Sequence, residues 1–525
     1  MTTRPNCPKC GKEMTLGPKA QSGKQRWECV SYVGGRTYCY STTNSKATHM
    51  TDKQGNRAKR PIVFKRPLRP DTKTYIITAA VNATPVHQDF WGCLQTARKA
   101  LDAELLVVPI RYKNPTSRWE GSQRNDEVWA SEVQPYLYNA RLGLNRNLVL
   151  LGDIKTQPTA SDPLSGFESI TGSESAIIAH TKLQLKSVAT PSNKMAKLIT
   201  TTGACTVANY SDTKAGKKGE FHHALAAIIV EVDGKTFHMR TVNYDKKTGS
   251  FTDLETRYKP SRAVRAPRPL ALVMGDTHVD FIDPAVEVAT DEIVAMLEPE
   301  TLVFHDLLDG YSANPHHFGN PFNLIAKRKT GADDVKAEVL RAIDFVKAKT
   351  PANAKAVIVP SNHDDFLRRW VINTDWRMDP TNASFYLATA LAMVSQTKLG
   401  KGGTEYPSPF PYWFGTQLTD TKKFRCLHGD ESFVLGGIEL SLHGDRGPNG
   451  SRGSAKNLRR IGVRTVIGHS HSPAIEEGCY QVGTSTRLKL EYNGGPSSWL
   501  NTHCLVHADG KRQLIHIING KWRLQ

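Results

Sequence analysis

The sequence of 525 residues contains no apolar run approaching the roughly 18 residues of a membrane span, and its start, Met1-Thr-Thr-Arg-Pro5, lacks an apolar signal core. A secreted or membrane-spanning protein is therefore not expected, and the chain reads as cytoplasmic. Cysteine is sparse: of nine, five lie scattered at 93, 205, 426, 479 and 504, and the odd total excludes a simple disulfide framework. No internal repeat is present. What is present is a soluble, folded composition, 39% hydrophobic and 23% charged, in a chain long enough for two or three domains.

Charge is unevenly placed. The net charge is +19, yet residues 1–75 hold 16 Lys/Arg against 4 Asp/Glu, so +12 sits in the first seventh of the chain. A basic arm on a near-neutral body points to a polyanionic partner, and nucleic acid is the expected one; a solubilising tail is the plain alternative. The remaining four cysteines crowd into the same region. Cys7-Pro-Lys-Cys10 is a Cys-x-x-Cys knuckle, and Cys29 and Cys39 flank the turn-rich Val33-Gly-Gly-Arg36. Residues 1–48 thus resemble a zinc ribbon with an irregular second knuckle, in which one structural Zn²⁺ supplies stability that so small a core cannot; His49 can replace one sulfur. Residues 49–72, with three prolines and seven basic residues, form a basic linker.

From Thr74 the pattern becomes α/β. Tyr75–Val81 reads as a buried strand, Phe90–Ala103 has helical spacing, Glu104–Ile110 is a second strand, and further apolar runs stand at Leu148–Leu151 and Leu225–Val232. Residues 73–267 are expected to be one α/β domain of accessory or substrate-binding role. Its Lys214–Lys218 and Phe221-His222-His223 clusters either contact phosphate or edge a strand; without a catalytic spacing the structural reading is preferred. The basic, proline-bearing Arg262–Pro269 marks a boundary.

Beyond it one pattern recurs five times: a short apolar run ends in oxygen and imidazole ligands. Leu270–Met274 leads to Asp276 and His278, Thr301–Phe304 to His305 and Asp306, and Ala356–Pro360 to Asn362, His363 and Asp364. Ile438–Leu442 leads to His443, and Val463–Ile467 to His469 and His471. Cores need neither carboxylates nor imidazoles at strand ends, so the repetition points to metal binding. His428-Gly-Asp repeats the pattern of His443-Gly-Asp; His443 is preferred as ligand because it follows a clearer strand and leads into the Gly-rich basic loop Arg446–Arg452.

The order Asp-x-His, Asp-x-x-Asp, Asn-His-Asp, His, Gly-His-x-His resembles that of the calcineurin-like metallophosphoesterases, a superfamily that includes nucleases and phosphatases. The resemblance spans about 250 residues and implies an α/β sandwich phosphoesterase domain over 268–525. It implies Asp276, His278 and His471 on one metal, Asn362, His443 and His469 on the other, and Asp306 bridging. It further implies His363 as the acid that protonates the leaving oxygen, with Asp364 orienting it. Two departures are His305 and Ser361, which stand where the family has glycine. The mixed donor set suits two divalent ions, with Mn²⁺ favoured over Fe or Zn²⁺.

The basic arm favours DNA as substrate and partner, cut with little sequence preference. Lys456, Arg459, Arg460 and Arg464 are expected to add positive charge beside the His443 loop. Val86–Phe90 and Val108–Pro115 are similar to the α/β domain of phage-encoded phosphoesterases, and that resemblance implies degradation of host DNA in the host cytoplasm. A phosphomonoesterase or protein phosphatase is the alternative enzyme, and a nucleic-acid-binding protein with a vestigial metal site the alternative without chemistry. A homo-oligomer stays open.

Overall fold

A computed structural model describes residues 15–16, 26–33, 37–44, 63–117, 119, 128–191, 194–314, 317, 319–400, 403–429, 431–491 and 493–524. The chain divides into two compact units, Met1–Val63 and Phe64–Gln525. In the first, strands Thr15–Leu16, Arg26–Val33 and Thr37–Asn44 form an antiparallel sheet, with Cys39 opposite Ser31 and Cys29 opposite Ser41. Cys7, Cys10 and His49, and with them the full zinc-ligand expectation, lie outside the described residues.

The second unit is mixed α/β with several sheets. The expected strand–helix–strand at its start is present. Thr74–Val81 and Glu104–Ile110 are parallel neighbours in a four-stranded sheet, joined by the helix Gln88–Ala100. His87 caps that helix by accepting from the Phe90 amide, and Phe90, Trp91, Leu94 and Ala97 give it a buried face.

The site-bearing sheet has six strands in the order Phe424–Cys426, Lys355–Ile358, Thr301–Phe304, Ala271–Val273, Thr502–Val506 and Arg512–His516. The first four run parallel; Thr502–Val506 runs antiparallel to Ala271–Val273, and Arg512–His516 turns back antiparallel to Thr502–Val506. Parallel strands are covered on both faces and so read as unbroken apolar runs, which is why these segments stood out in the sequence. Alternate residues serve different cores. Leu272, Leu302, Phe304 and Ile358 pack toward the helices Pro284–Leu297 and Val335–Lys349. Val273, Val303 and Val357 face a second core, shared with Ile438, Val466 and Tyr480.

That second core reaches back to Ile77, Leu106, Leu150 and Leu198. The segments 73–267 and 268–525 also share a ten-stranded sheet, in which Gln184–Val188 pairs antiparallel with Ala474–Glu476. At the level of sheets and core, then, the two segments are built together. Among the described residues no helix is long and apolar enough to cross a membrane.

Candidate metal centre

In open α/β sheets ligands gather beyond the carboxyl ends of the parallel strands, and the polar clusters emerge there. The chain leaving Ala271–Val273 keeps pairing with the chain leaving Thr301–Phe304: the amides of Thr277 and His278 donate to the carbonyls of His305 and Asp306 at 2.9 and 2.6 Å. This carries Asp276 and His278 alongside Asp306. From the other sheet, the Gly468 amide donates to the His443 carbonyl at 2.7 Å, which couples the His443 loop to the His469–His471 loop. A β-carbon at residue 468 would lie 2.2 Å from Asp276 Oδ1, so any side chain there would have to displace that carboxylate from the site.

The side chains form a continuous chain of contacts. Asp276 Oδ2 is 3.3 Å from His471 Nε2, and His471 Nε2 is 3.1 Å from His278 Nε2. His278 Nε2 is 3.6 Å and His443 Nε2 3.2 Å from Asp306 Oδ2, and His443 Nδ1 is 3.3 Å from His305 Nδ1. Three triads bring candidate ligand atoms within 4.8 Å of one another: Asp276, His305 and His443; His278, Asp306 and His471; His278, Asp309 and His363. The remaining expected ligands, Asn362 and His469, meet each other at 3.0 Å, with the His469 ring 5.2 Å from that of His443. His278, Asp306, His469 and His471 all adopt left-handed backbone, φ 41°, 44°, 74° and 57°. Such conformations are costly for side chains with a β-carbon and persist where the surroundings over-determine them.

Two donors were not assigned from the sequence. His305 is fully buried within the cluster, although its position had been read as a departure. Asp309 Oδ1 lies 3.2 Å from His278 Nδ1. Both were in view, one directly before Asp306 and one three residues after it, and proximity to an assigned ligand was the available signal. His363 is held by the Asp309 carbonyl, which accepts from Nδ1 at 2.7 Å. Asp364, expected to orient His363, instead accepts from the Leu308 amide at 3.1 Å.

The two His-Gly-Asp motifs separate clearly. His443 is buried against Asp306, whereas His428 is exposed and, with Arg368, Tyr406 and Arg446, lines a cleft of about 600 Å³ that reaches His443 and Asp364. Arg368 is fixed there by Asp365, with contacts of 2.5 and 2.6 Å, and by the Tyr406 hydroxyl at 3.0 Å. Arg459 and Arg464, expected beside the His443 loop, line a different cavity, because they precede the Thr465–Ile467 strand whose far end delivers His469.

The electrostatics describe a site in want of cations. Both carboxylate oxygens of Asp276 and of Asp306, Asp309 Oδ1, His305 Nε2 and His443 Nε2 are buried without a hydrogen bond. Burial, then the neighbouring Asp306, raise Asp276 above the ordinary carboxylate range. Burial disfavours charge on His278 and His443, yet the carboxylates around them raise both to about 9. Burial and the nearby His443 push His305 down to about 3. Carboxylates that draw protons onto adjacent imidazoles occupy a position where metal ions would be held, and the hard oxygen and borderline nitrogen donors fit a divalent first-row ion. The buried Asp and His groups thus form possible metal-binding sites.

No protein-family profile matches the chain. A relative, Protein A1 of Escherichia phage T5, is 32% identical over 479 residues, covering 86% of this chain and 83% of that protein.

Proposed function

The chain belongs to the family of Protein A1 of Escherichia phage T5, and on that premise we propose that it is a calcineurin-like, dinuclear-metal phosphodiesterase that degrades DNA with little sequence preference. The observation that carries this reading is the convergence of buried, unbonded carboxylate and imidazole atoms at the ends of strands from two sheets. Leaving such groups unmatched in a core costs several kcal/mol in all, and bound ions remove that cost.

Asp276, His278, Asp306, His443 and His471, adjoined by His305, Asp309, Asn362 and His469, would hold two divalent cations, Mn²⁺ being favoured. When bound, such a pair supplies a hydroxide at neutral pH and clamps phosphoryl oxygens. The protein's own groups do the rest. Because a carbonyl can only accept, His363 Nδ1 must carry a proton toward Asp309, which leaves Nε2 as the position that gives a proton to the leaving oxygen. Asp364 ties the Asn362–Asp364 loop to Leu308 and so fixes the ring's approach. Arg368 and Arg446 supply cationic contacts in the cleft beside His443, where a phosphodiester backbone can lie.

The test offers the purified full chain, with Mn²⁺, plasmid DNA, RNA, and small chromogenic phosphate diester and monoester substrates. Degradation of the plasmid together with the diester supports the proposal. Turnover of the monoester alone establishes a phosphatase instead, and no turnover of any substrate by metal-loaded protein rejects the enzymatic reading. The basic arm is tested separately. Deleting residues 1–63, the first compact unit, which carry 12 Lys/Arg, should reduce the salt dependence of DNA binding by several units of slope, at roughly 0.9 per phosphate contact, while sparing the small diester. An unchanged slope would show that the arm does not engage the backbone.

A further inference from the structure

A second cavity, of about 400 Å³, lies away from the metal centre. Arg464, which lines it, directly precedes the Thr465–Ile467 strand, and His469 follows that strand. At roughly 3.3 Å per residue the two are about 16 Å apart along the chain. None of the candidate metal ligands lines this cavity.

Its walls are strongly cationic. Lys182, Arg459, Arg464, Lys511 and Arg512 line it, against one carboxylate, Glu477. Glu477 is already matched, 2.8 Å from Lys182 and 3.6 Å from Arg459, and Arg459 also holds Glu476 at 2.9 Å. Arg512 is only 8% exposed, and no carboxylate pairs with it among the described residues. Its Nη1 donates to the carbonyls of Thr465 and Gly478, both at 2.7 Å, and its guanidinium lies 4.0 Å from the centre of the Tyr480 ring. Neither Nε nor Nη2 makes a hydrogen bond with a described residue. A buried guanidinium with donors to spare and no counter-charge is complementary to an oxyanion.

The rim adds a second feature. Phe221, in the last turn of the helix Lys214–His222, is 84% exposed although it is a large aromatic side chain at the cavity's edge. An exposed aromatic beside cations is the platform on which proteins stack nucleobases.

We propose that this cavity is a nucleotide-binding site in which Arg512 and Arg464 hold the phosphate and Phe221 stacks the base. The ligand chemistry is a phosphate carrying a base, supplied either by a free mononucleotide or by one nucleotide of a single strand. The site does not depend on the chemistry proposed for the metal centre.

Calorimetric titration of the full chain carrying Asp306→Ala, which removes a carboxylate from the proposed metal centre, tests this with inorganic phosphate, dAMP and a short oligothymidylate. Phosphate should bind, and dAMP about tenfold more tightly. Phe221→Ala should erase the advantage of dAMP and leave phosphate unchanged. Arg464→Gln combined with Lys511→Gln should weaken both about tenfold, and in the otherwise unaltered enzyme should leave small-diester hydrolysis at its original rate. These side chains are at least partly exposed, so the variants should fold, whereas Arg512 also fastens strands and is the poorer probe. Tighter binding of the oligothymidylate than of dAMP, lost in the same variants, assigns the site to a strand; the reverse order assigns it to the free nucleotide. No binding of phosphate or dAMP at millimolar concentration, equal affinity for the two, or affinities unaffected by the paired Gln substitutions overturns the proposal.

Discussion

Two clusters of buried charge sit in the same compact unit, and they are finished in different ways. Around Arg240, whose side chain is 2% exposed, both nitrogens of the fork reach Glu231 at 3.0 Å, while Nε and Nη2 reach Asp253 at 2.8 and 3.0 Å. Gln513 and the Leu524 amide complete the two carboxylates at 2.9 Å each. Around Asp276 and Asp306, by contrast, all four carboxylate oxygens lack a hydrogen bond. A cluster closed by its own protein is a structural joint; one left open is arranged for something that arrives from outside.

The contrast breaks most visibly at the open cluster. Asp306→Ala should abolish the proposed hydrolysis and metal binding. Wild type should gain about 2.7 kcal/mol from metal at a hundred times its dissociation constant, and the variant nothing. Urea denaturation with and without Mn²⁺, beside metal analysis, measures both; a variant that retains two ions removes Asp306 from the centre.

His363→Ala should keep the ions and lose roughly 10²–10⁴ in rate. Release of metal from that variant would move His363 from proton donor to ligand, a role that its triad with His278 and Asp309 keeps in play.

At the closed cluster the loss is one of stability alone. Arg240→Met strands two carboxylates and should cost about 3–5 kcal/mol, while replacing all three charged residues by apolar ones should restore most of it. Metal content of the folded protein should not change. A cost below about 1 kcal/mol for Arg240→Met would mean that the joint is not closed as described.

The smallest effect is acid sensitivity. Burial raises the pKa of Glu231, but Arg240 outweighs it and holds the group below its ordinary value of 4.5. Its contribution to stability is therefore complete above 4.5 and is lost as pH falls through the lowered folded value. Denaturation midpoints measured down that range in wild type and Glu231→Gln should converge at the acid end. Parallel curves would exclude Glu231 as the titrating group.

The open cluster was legible in the sequence because its ligands follow apolar runs, and such runs are what a strand covered on both faces must be. Even so, the Ile438–Leu442 run yields only a two-residue strand, Ile438–Glu439, with His443 reaching Asp306 four residues beyond its end. The closed cluster was not legible, since nothing local in Glu231, Arg240 or Asp253 announces that they meet. The shared sheet was hidden for the same reason: Leu185 pairs with Ile475, 290 positions further along the sequence. The partner of His363 could not be read either, because it is a main-chain carbonyl, and every residue has one. Arg459 and Arg464 were placed by nearness in sequence to His443, and the direction of one strand sent them to the other end.

The order in which the centre is assembled sets a clock on the ribosome. Its donors begin at Asp276 and end at His471, and the strand Ala271–Val273 lies beside Thr502–Val506, so the scaffold is incomplete until Val506 has been made. At roughly 5–20 residues per second, about 10–40 seconds separate the appearance of Asp306 from that of Val506. A partly synthesised chain carries the aspartates but not the sheet that sets them among the imidazoles, so whatever chemistry the centre supports cannot begin before Val506 is in place.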